Sequence, residues 1–250
     1  MGWLDFLKPK RHELIPAKFS LDWLQVDMHS HLIPGIDDGS KSLEESVSLV
    51  KRLRDYGLRR IITTPHIMSE YYRNTPEIIL NGLDLLRKEL EKQQVNIEIS
   101  AAAEYFIDEF FVEKVKKGEK LLTVSANQVL VETGFVAKPM MLKEIFFDME
   151  MQGYKPILAH PERYQYLMMD RRLLEDLLDR DIYFQANLLS FTGFYSKQVK
   201  EFAEMLLERG KIRYIGTDCH NERYLDALEG LPENRIYTKL RRLPLLNHEL

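Results

Sequence analysis

Five of the seven histidines, and four of the acids, stand at or just beyond the ends of short apolar runs. His29 and His31 close the first run, His66 follows the second, His160 ends the fifth and His220 follows the seventh. Asp38, Glu104, Glu132 and Asp218 take equivalent places after the first, third, fourth and seventh. Imidazole nitrogens and carboxylate oxygens without a thiolate are donors for hard or borderline divalent ions, and this many on one rim is the composition of a multinuclear centre. Each piece alone has a blander reading. His29-Ser30-His31 is a weak motif, Thr64-Pro65-His66 could be a mere strand end, Glu132 an ion-pair partner and Asp218 a helix cap. Only His12 and His248 fall elsewhere, however, and it is the set that points to metal.

The elements that must position these residues alternate along the chain. The apolar runs 25–29, 59–64, 97–103, 128–132, 155–160, 182–186 and 213–217 read as strands buried on both faces. Between them, apolar residues recur at helical spacing, as at Leu43, Val47, Val50 and Leu53, or Ile79, Leu83, Leu86 and Leu90. Ser42 with Glu45 is a capping-box pattern before the first helix. Repeated strand–helix units imply a parallel sheet with right-handed crossovers. Seven strands suit a closed α/β barrel with seven repeats, and an open doubly wound sheet is the alternative. In a barrel the C-terminal strand ends meet on one face, where active sites of this architecture are built. The division expected is an N-terminal arm over 1–24, a barrel over 25–232 and a mildly basic tail over 233–250. Trp3, Leu4, Phe6 and Leu7 form a candidate docking patch on the arm.

The 250 residues are 45% hydrophobic and 30% charged, the balance of a soluble globular protein. A net charge of −4 gives nucleic acid no electrostatic footprint. No apolar run approaches the roughly 18 residues of a membrane span, and the first residues do not read as a signal peptide. The expectation is a cytoplasmic protein without membrane insertion. Cys219 is the single cysteine, and Leu225 stands six residues on where a cysteine-based phosphatase needs an arginine. A thiol mechanism is thereby excluded. Glycine patterns for nucleotide or dinucleotide phosphates are absent.

Taken in order, His29-Ser-His31, Pro34-Gly-Ile-Asp-Asp-Gly39, Thr64-Pro-His66, Ala103-Glu104, Val131-Glu132, His160-Pro-Glu-Arg163 and Asp218-Cys-His220 resemble the PHP (polymerase and histidinol phosphatase) superfamily. More narrowly, the chain resembles the bacterial manganese-dependent protein-tyrosine phosphatases of capsule and exopolysaccharide clusters, the CpsB/CapC/YwqE type, over roughly residues 25–230. That resemblance implies a distorted (β/α)7 barrel with three divalent ions, manganese in the family. One ion would be held by His29, His31, Glu104 and Asp218. A second would share bridging Glu104 and add Glu132 and His160. The third would take Asp38, His66 and His220, with Asp37 the competitor for the place of Asp38. Arg163 matches a phosphate-binding arginine of the family, and Arg223 is the nearest match to a second one. The resemblance further implies a phosphotyrosine protein as partner, a bacterial tyrosine autokinase.

Such a centre suits phosphomonoester hydrolysis, because water held by divalent ions is acidified towards neutrality. Phenolate, with a pKa of ~10, leaves with less help from an acid than an alkoxide does. Tyr71, Tyr72, Phe106, Phe110, Phe111, Phe135, Tyr164 and Tyr166 follow the ligand-bearing strand ends, so several are expected to line the approach to the metals. A small-molecule phosphatase of the histidinol-phosphate type is the alternative function. A nuclease is disfavoured by the net charge, and a degenerate binding barrel by the complete ligand set.

Overall fold

Val26–Asp27 (β1) opens the sheet in the computed structural model, which describes residues 19–231 and 235–250. Arg60–Thr63 (β2) and His66–Ile67 (β3) are two halves of one strand, as are Glu98–Ala101 (β4) and Glu104–Phe106 (β5). Pro65 has no N–H to give the ladder, which lapses there. Pairing nevertheless carries across the gap, Ala102 N donating to Thr63 O at 2.9 Å and Glu104 N to Pro65 O at 3.1 Å. Gln128–Glu132 (β6), Lys155–Ala159 (β7), Tyr183–Asn187 (β8) and Ile212–Gly216 (β9) follow.

Every pairing between these strands is parallel. In space the order is β1, then β2 with β3, then β4 with β5, then β6 to β9. The last position meets the first beyond the ends of β1 and β9, where Ser30 bridges Cys219. There Asp218 N donates to His29 O at 2.8 Å and His31 N to Cys219 O at 2.9 Å. Those bonds close the seven strand positions into a ring and decide against the open sheet.

The helices are Leu43–Asp55 (α1), Pro76–Lys92 (α2), Glu109–Lys116 (α3), Leu142–Met151 (α4), Gln165–Met169 (α5), Arg171–Leu178 (α6), Lys197–Glu208 (α7), Glu222–Leu228 (α8) and Arg235–Leu240 (α9). Ser42 caps α1 by accepting from Glu45 N. Glu45 turns back to the N–H of Lys41 rather than of Ser42, a capping box displaced by one residue. Strand alternation separates two apolar layers. Val129, Val131 and Leu158 pack outwards with the helices, while Leu130, Ile157 and Ala159 join Met28, Ile62 and Tyr214 in a second cluster inside the ring. That interior plug is the floor beneath the rim. No helix among the described residues is long and apolar enough to cross a membrane.

The described parts of both flanking segments pack on the barrel. Phe19, Leu21 and Leu24 are buried in the main core, as are Leu240 and Leu245. The patch at Trp3, Leu4, Phe6 and Leu7 lies outside the described residues. Below the point where the ring closes, β1 and β9 have no direct ladder, and Asn247 fills the gap. Its amide donates to Val26 O at 2.9 Å and Ile215 O at 2.7 Å, and its oxygen accepts from Ile215 N at 3.0 Å. Three backbone groups are thereby satisfied in a buried place where water cannot reach them. Asn247→Ala is expected to cost about 2–4 kcal/mol, from roughly 0.5–1.5 kcal/mol for each hydrogen bond. A lowered urea midpoint with an unchanged slope checks this.

Candidate metal centre

The stretch after β1 carries His29 and His31 into the rim, where β5 begins with Glu104 and Asp218 follows β9. His29 Nε2 lies 3.2 Å from Glu104 Oε2, 3.3 Å from His31 Nε2 and 3.4 Å from Asp218 Oδ1. His31 Nε2 lies 3.4 Å from the same two carboxylate oxygens. Outer partners choose the tautomers. His29 Nδ1 is 2.8 Å from the Gln185 amide oxygen, and His31 Nδ1 is 2.8 Å from Asp37 Oδ2, so in each neutral ring Nδ1 carries the hydrogen. Both Nε2 lone pairs then face one another and two carboxylates, an arrangement that only a cation can hold. An ion bonded at 2.0–2.2 Å sets adjacent ligands about 2.9–3.5 Å apart, the spacing found here. The donor set fits a divalent ion.

Two further groups adjoin the first. His160 Nε2 is 2.9 Å from Glu104 Oε1 and 3.8 Å from Glu132 Oε2. His66 Nδ1 is 2.8 Å from Glu132 Oε1 and 3.2 Å from Glu104 Oε2, yet makes no hydrogen bond, being out of line for one. On the other side His66 Nε2 is 3.4 Å, and His220 Nε2 3.6 Å, from Asp38 Oδ1. Groups of donors close enough to share an ion accordingly include His29, His31 and Glu104; His66, Glu104 and Glu132; and His31, Asp38, His66 and His220. All nine residues expected from the sequence meet in one place. Asp37 and Asp38 divide the labour: Asp37 orients His31 and accepts from the Gly39 and His66 N–H groups, while Asp38 faces the histidines.

Local backbone explains the convergence. His160 and Asp218 sit at φ 32° and 51°, left-handed conformations that cost a non-glycine residue roughly 1–3 kcal/mol and recur at functional sites. Both turn a side chain inwards just where a strand ends. Two glycines make room for the histidine pair. A Cβ on Gly39 would fall 2.4 Å from the His31 Cβ, and one on Gly216 would fall 2.5 Å from the His29 Cβ.

Sequence reasoning passed over the supporting polar residues. Gln185 holds His29 and bonds Asn187, whose amide donates to Asp218 Oδ2 at 2.7 Å. Tyr195 donates to that oxygen too. Glu162 accepts from the N–H of Asn187 and from Ser190, tying the turn Pro161–Arg163 to the end of β8. The available signal was Gln185-x-Asn187, two polar residues at alternate positions in an otherwise apolar strand.

The charges compensate one another. Burial pulls the His29, His31 and His66 imidazoles down, but neighbouring carboxylates outweigh it: Glu104 and Asp218 for His29, Asp37 for His31, Glu132 and Glu104 for His66. All three are held above their ordinary value of 6.5. Burial pushes Glu104 and Asp218 up, and the surrounding histidines override it to hold both well below the carboxylate range. Burial also raises the Cys219 thiol far up, leaving it inert.

Above the donors lies a cavity of about 340 Å³, walled by Tyr72, Phe106, Phe135, Tyr224 and Arg163. Arg163 donates to Asp218 Oδ2 at 3.2 Å, and its guanidinium rests 4.3 Å over the Phe135 ring and 4.4 Å over Tyr195. Arg223, the second arginine expected at the phosphate, is exposed on α8 with its guanidinium over Phe194, and it does not line this cavity. The neighbouring Tyr224 does. Of the aromatics expected at the mouth, Tyr72, Phe106 and Phe135 line it. Tyr164, Tyr166 and Phe111 are core residues instead. The Tyr164 and Tyr166 hydroxyls are bound to Thr133, where they brace the loop after β6. Tyr71 is exposed and stands away from the cavity.

Fold and site together define a parallel α/β barrel with a cluster of nitrogen and oxygen donors on its rim that fits divalent metal. The chain belongs to the CpsB/CapC family of capsular polysaccharide synthesis, whose pattern matches residues 25–226. YwqE of Bacillus subtilis (strain 168), a tyrosine-protein phosphatase, is 29% identical over 196 residues, 78% of this chain and 77% of that protein. The crystal structures of YwqE from Bacillus subtilis and CpsB from Streptococcus pneumoniae, described as unique metal-dependent tyrosine phosphatases, include a chain 28% identical with a TM-score of 0.73, covering 89% of this chain and 94% of that one. A lactonase from Listeria monocytogenes shares the fold alone, at 12% identity and a TM-score of 0.53 over 94% of this chain and 91% of that one.

Two outcomes follow from the geometry. Gly216→Ala must displace His29, so manganese affinity measured by calorimetry is expected to fall about 10–100-fold. The second concerns pH in the metal-free protein. Raised histidine values stabilise it fully below 6.5, and that contribution is lost as pH rises through them. Lowered carboxylate values contribute above the ordinary range and are lost as pH falls through them. Above pH 6.5, chelated protein is therefore expected to lose Tm with rising pH, while metal binding tightens and releases protons. Melting curves with and without chelator, and calorimetry in two buffers, check both parts.

Proposed function

We propose that this protein hydrolyses phosphotyrosine in proteins with the help of divalent ions. The observation that carries the reading is the shared position of Glu104 among the donor groups, directly beneath an aromatic-walled cavity that contains one arginine. His29, His31, Glu104 and Asp218 would hold one ion, Glu104, Glu132 and His160 a second, and Asp38, His66 and His220 a third. Bound there, divalent ions supply acidified water and neutralise charge on the phosphoryl oxygens. Donors of nitrogen and oxygen without thiolate exclude little beyond soft ions, and manganese is proposed from the resemblance of the ligand motifs to the manganese-dependent phosphatases.

The chain's own residues do the rest. Arg163 is held by Asp218 through one nitrogen and clamped between Phe135 and Tyr195, which leaves other N–H groups to meet a phosphoryl oxygen. Of the two candidate arginines it alone lines the cavity, so the phosphate contact falls to it. Tyr72, Phe106 and Phe135 offer flat apolar surfaces to a phenyl ring, each stacked pair worth about 0.5–1.5 kcal/mol beyond burial. A phenolate leaves without a dedicated acid. The natural substrate in this reading is a tyrosine kinase of the capsule or exopolysaccharide system, and the place of action is the cytoplasm.

Phosphate release from phosphotyrosyl peptide, phosphoseryl peptide and histidinol phosphate tests the assignment. The phosphotyrosyl peptide is expected to lead by at least about tenfold in kcat/KM, from the aromatic contacts above. Chelation should abolish turnover and manganese restore it. Arg163→Ala is expected to lose on the order of 10–1000-fold in rate while keeping its metals. A better rate on histidinol phosphate would move the protein to the small-molecule class, and full activity after exhaustive chelation would reject the metal mechanism.

A further inference from the structure

Beside the cavity lies a second concavity of about 730 Å³, between the loop at Ile67–Asn74 and the start of α3, and the two share Met68 and Phe106. The smaller one suits a single phosphorylated side chain. The larger contains none of the donor residues, so the chemistry gives it no occupant.

Both its walls are pinned together. Met68 and Tyr72 exchange two backbone hydrogen bonds of 2.9 Å, folding the loop into a tight hairpin. Asp108 caps α3 through Phe111 N and accepts from Ser69 N at 3.0 Å, joining loop to helix. Asn74 anchors the far end on the carbonyls of Ile36 and His66. The groove is thus formed in advance rather than left to a mobile loop.

Phe110 is the informative residue. It is 69% exposed, whereas Phe111 beside it is 3% exposed and packs against Tyr105. The core-facing stripe of α3 is Phe111 and Val115, so burial gives no reason for a phenylalanine at 110. It contributes a bare aromatic ring to a groove that opens into the cavity. Arg73 and Lys114 face Glu70, Asp108 and Glu109 there, with Asp108 already engaged by Ser69 N and Phe111 N, so the small negative balance does little to select the occupant.

We propose that this groove receives the polypeptide on one side of the phosphotyrosine, and that a large apolar side chain of that segment packs on Phe110. The inference rests on the phosphotyrosine-hydrolase reading and adds a sequence preference that the metal cavity does not supply. The groove's continuity with the cavity through Met68 and Phe106 singles out a substrate segment over other occupants.

The test compares the metal-loaded chain with Phe110→Asp and the milder Phe110→Ala on three substrates. These are a phosphotyrosyl peptide flanked by leucines, the same peptide flanked by serines, and p-nitrophenyl phosphate, which reaches only the cavity. Wild type is expected to prefer the leucine peptide to the serine peptide by about tenfold in kcat/KM, the scale of burying one apolar side chain. Both variants should raise KM for the leucine peptide with kcat retained, and leave p-nitrophenyl phosphate unchanged. Equal turnover of the two peptides by wild type, or variants that affect all three substrates alike, would overturn the groove while the hydrolase reading stands. So would sedimentation showing that Phe110→Asp splits a wild-type dimer, which would give the groove to a second copy. Failure of wild type on every phosphotyrosyl or aryl substrate would instead overturn the hydrolase reading, and the groove with it.

Discussion

A carboxylate with no access to water holds this rim together. Glu104 is fully buried, with His29, His31 and His66 around one oxygen and His160 against the other. A buried charge of that kind survives only if cations surround it. His29, His31 and His66, held above the ordinary imidazole value by the carboxylates around them, answer that charge, and their ring nitrogens are among the atoms grouped closely enough to share an ion. A metal bound at these atoms would compete with protons for them.

The fold is arranged to deliver those atoms from separate strands. Closure of the ring between the ends of β1 and β9 brings His29 and His31 beside Asp218, and the same bonds that close the barrel set this spacing. Strained backbone is found there as well. His160 and Asp218 take left-handed backbone, and two glycines yield their side-chain volume to histidines. Such features persist because the plug of Met28, Ile62, Leu130, Ile157 and Tyr214 beneath the rim is tightly packed and overdetermines the position of each strand end. Outer contacts finish the task. Gln185, Asn187 and Asp37 hold the candidate donor side chains by their second atoms, which fixes tautomers and orientations.

Above the centre, the cavity wall divides labour between charge and ring. Arg163 is neutralised on one side by Asp218 and sandwiched by aromatics, which keeps a long flexible side chain in one place. Tyr164 and Tyr166 have a quieter part: stacked on each other and bonded to Thr133, they support the loop that carries Phe135.

Much of this was legible in the chain itself. Continuous apolar runs such as Val129–Val131 and Ile157–Ala159 could only be strands covered on both faces, and histidines or acids at their ends could only gather on one rim. Residue type and order therefore pointed to a parallel α/β sheet with its candidate donors on one rim, while closure into a ring rather than an open sheet was decided by the contacts beyond β1 and β9. Side-chain direction was not legible, because adjacent residues of like chemistry differ only in where the backbone points them. Asp37 and Asp38 became orienter and rim acid through the turn after His31. Phe110 and Phe111 parted to groove and core through the phase of α3, and Arg223 left the cavity to Tyr224 through the start of α8. Gln185 and Asn187 gained their meaning only when ring closure placed β8 beside the histidines, a contact 156 residues apart in the chain for Gln185 and His29. Composition and periodicity specify which faces are buried, whereas the partner across such a distance is set by packing in three dimensions.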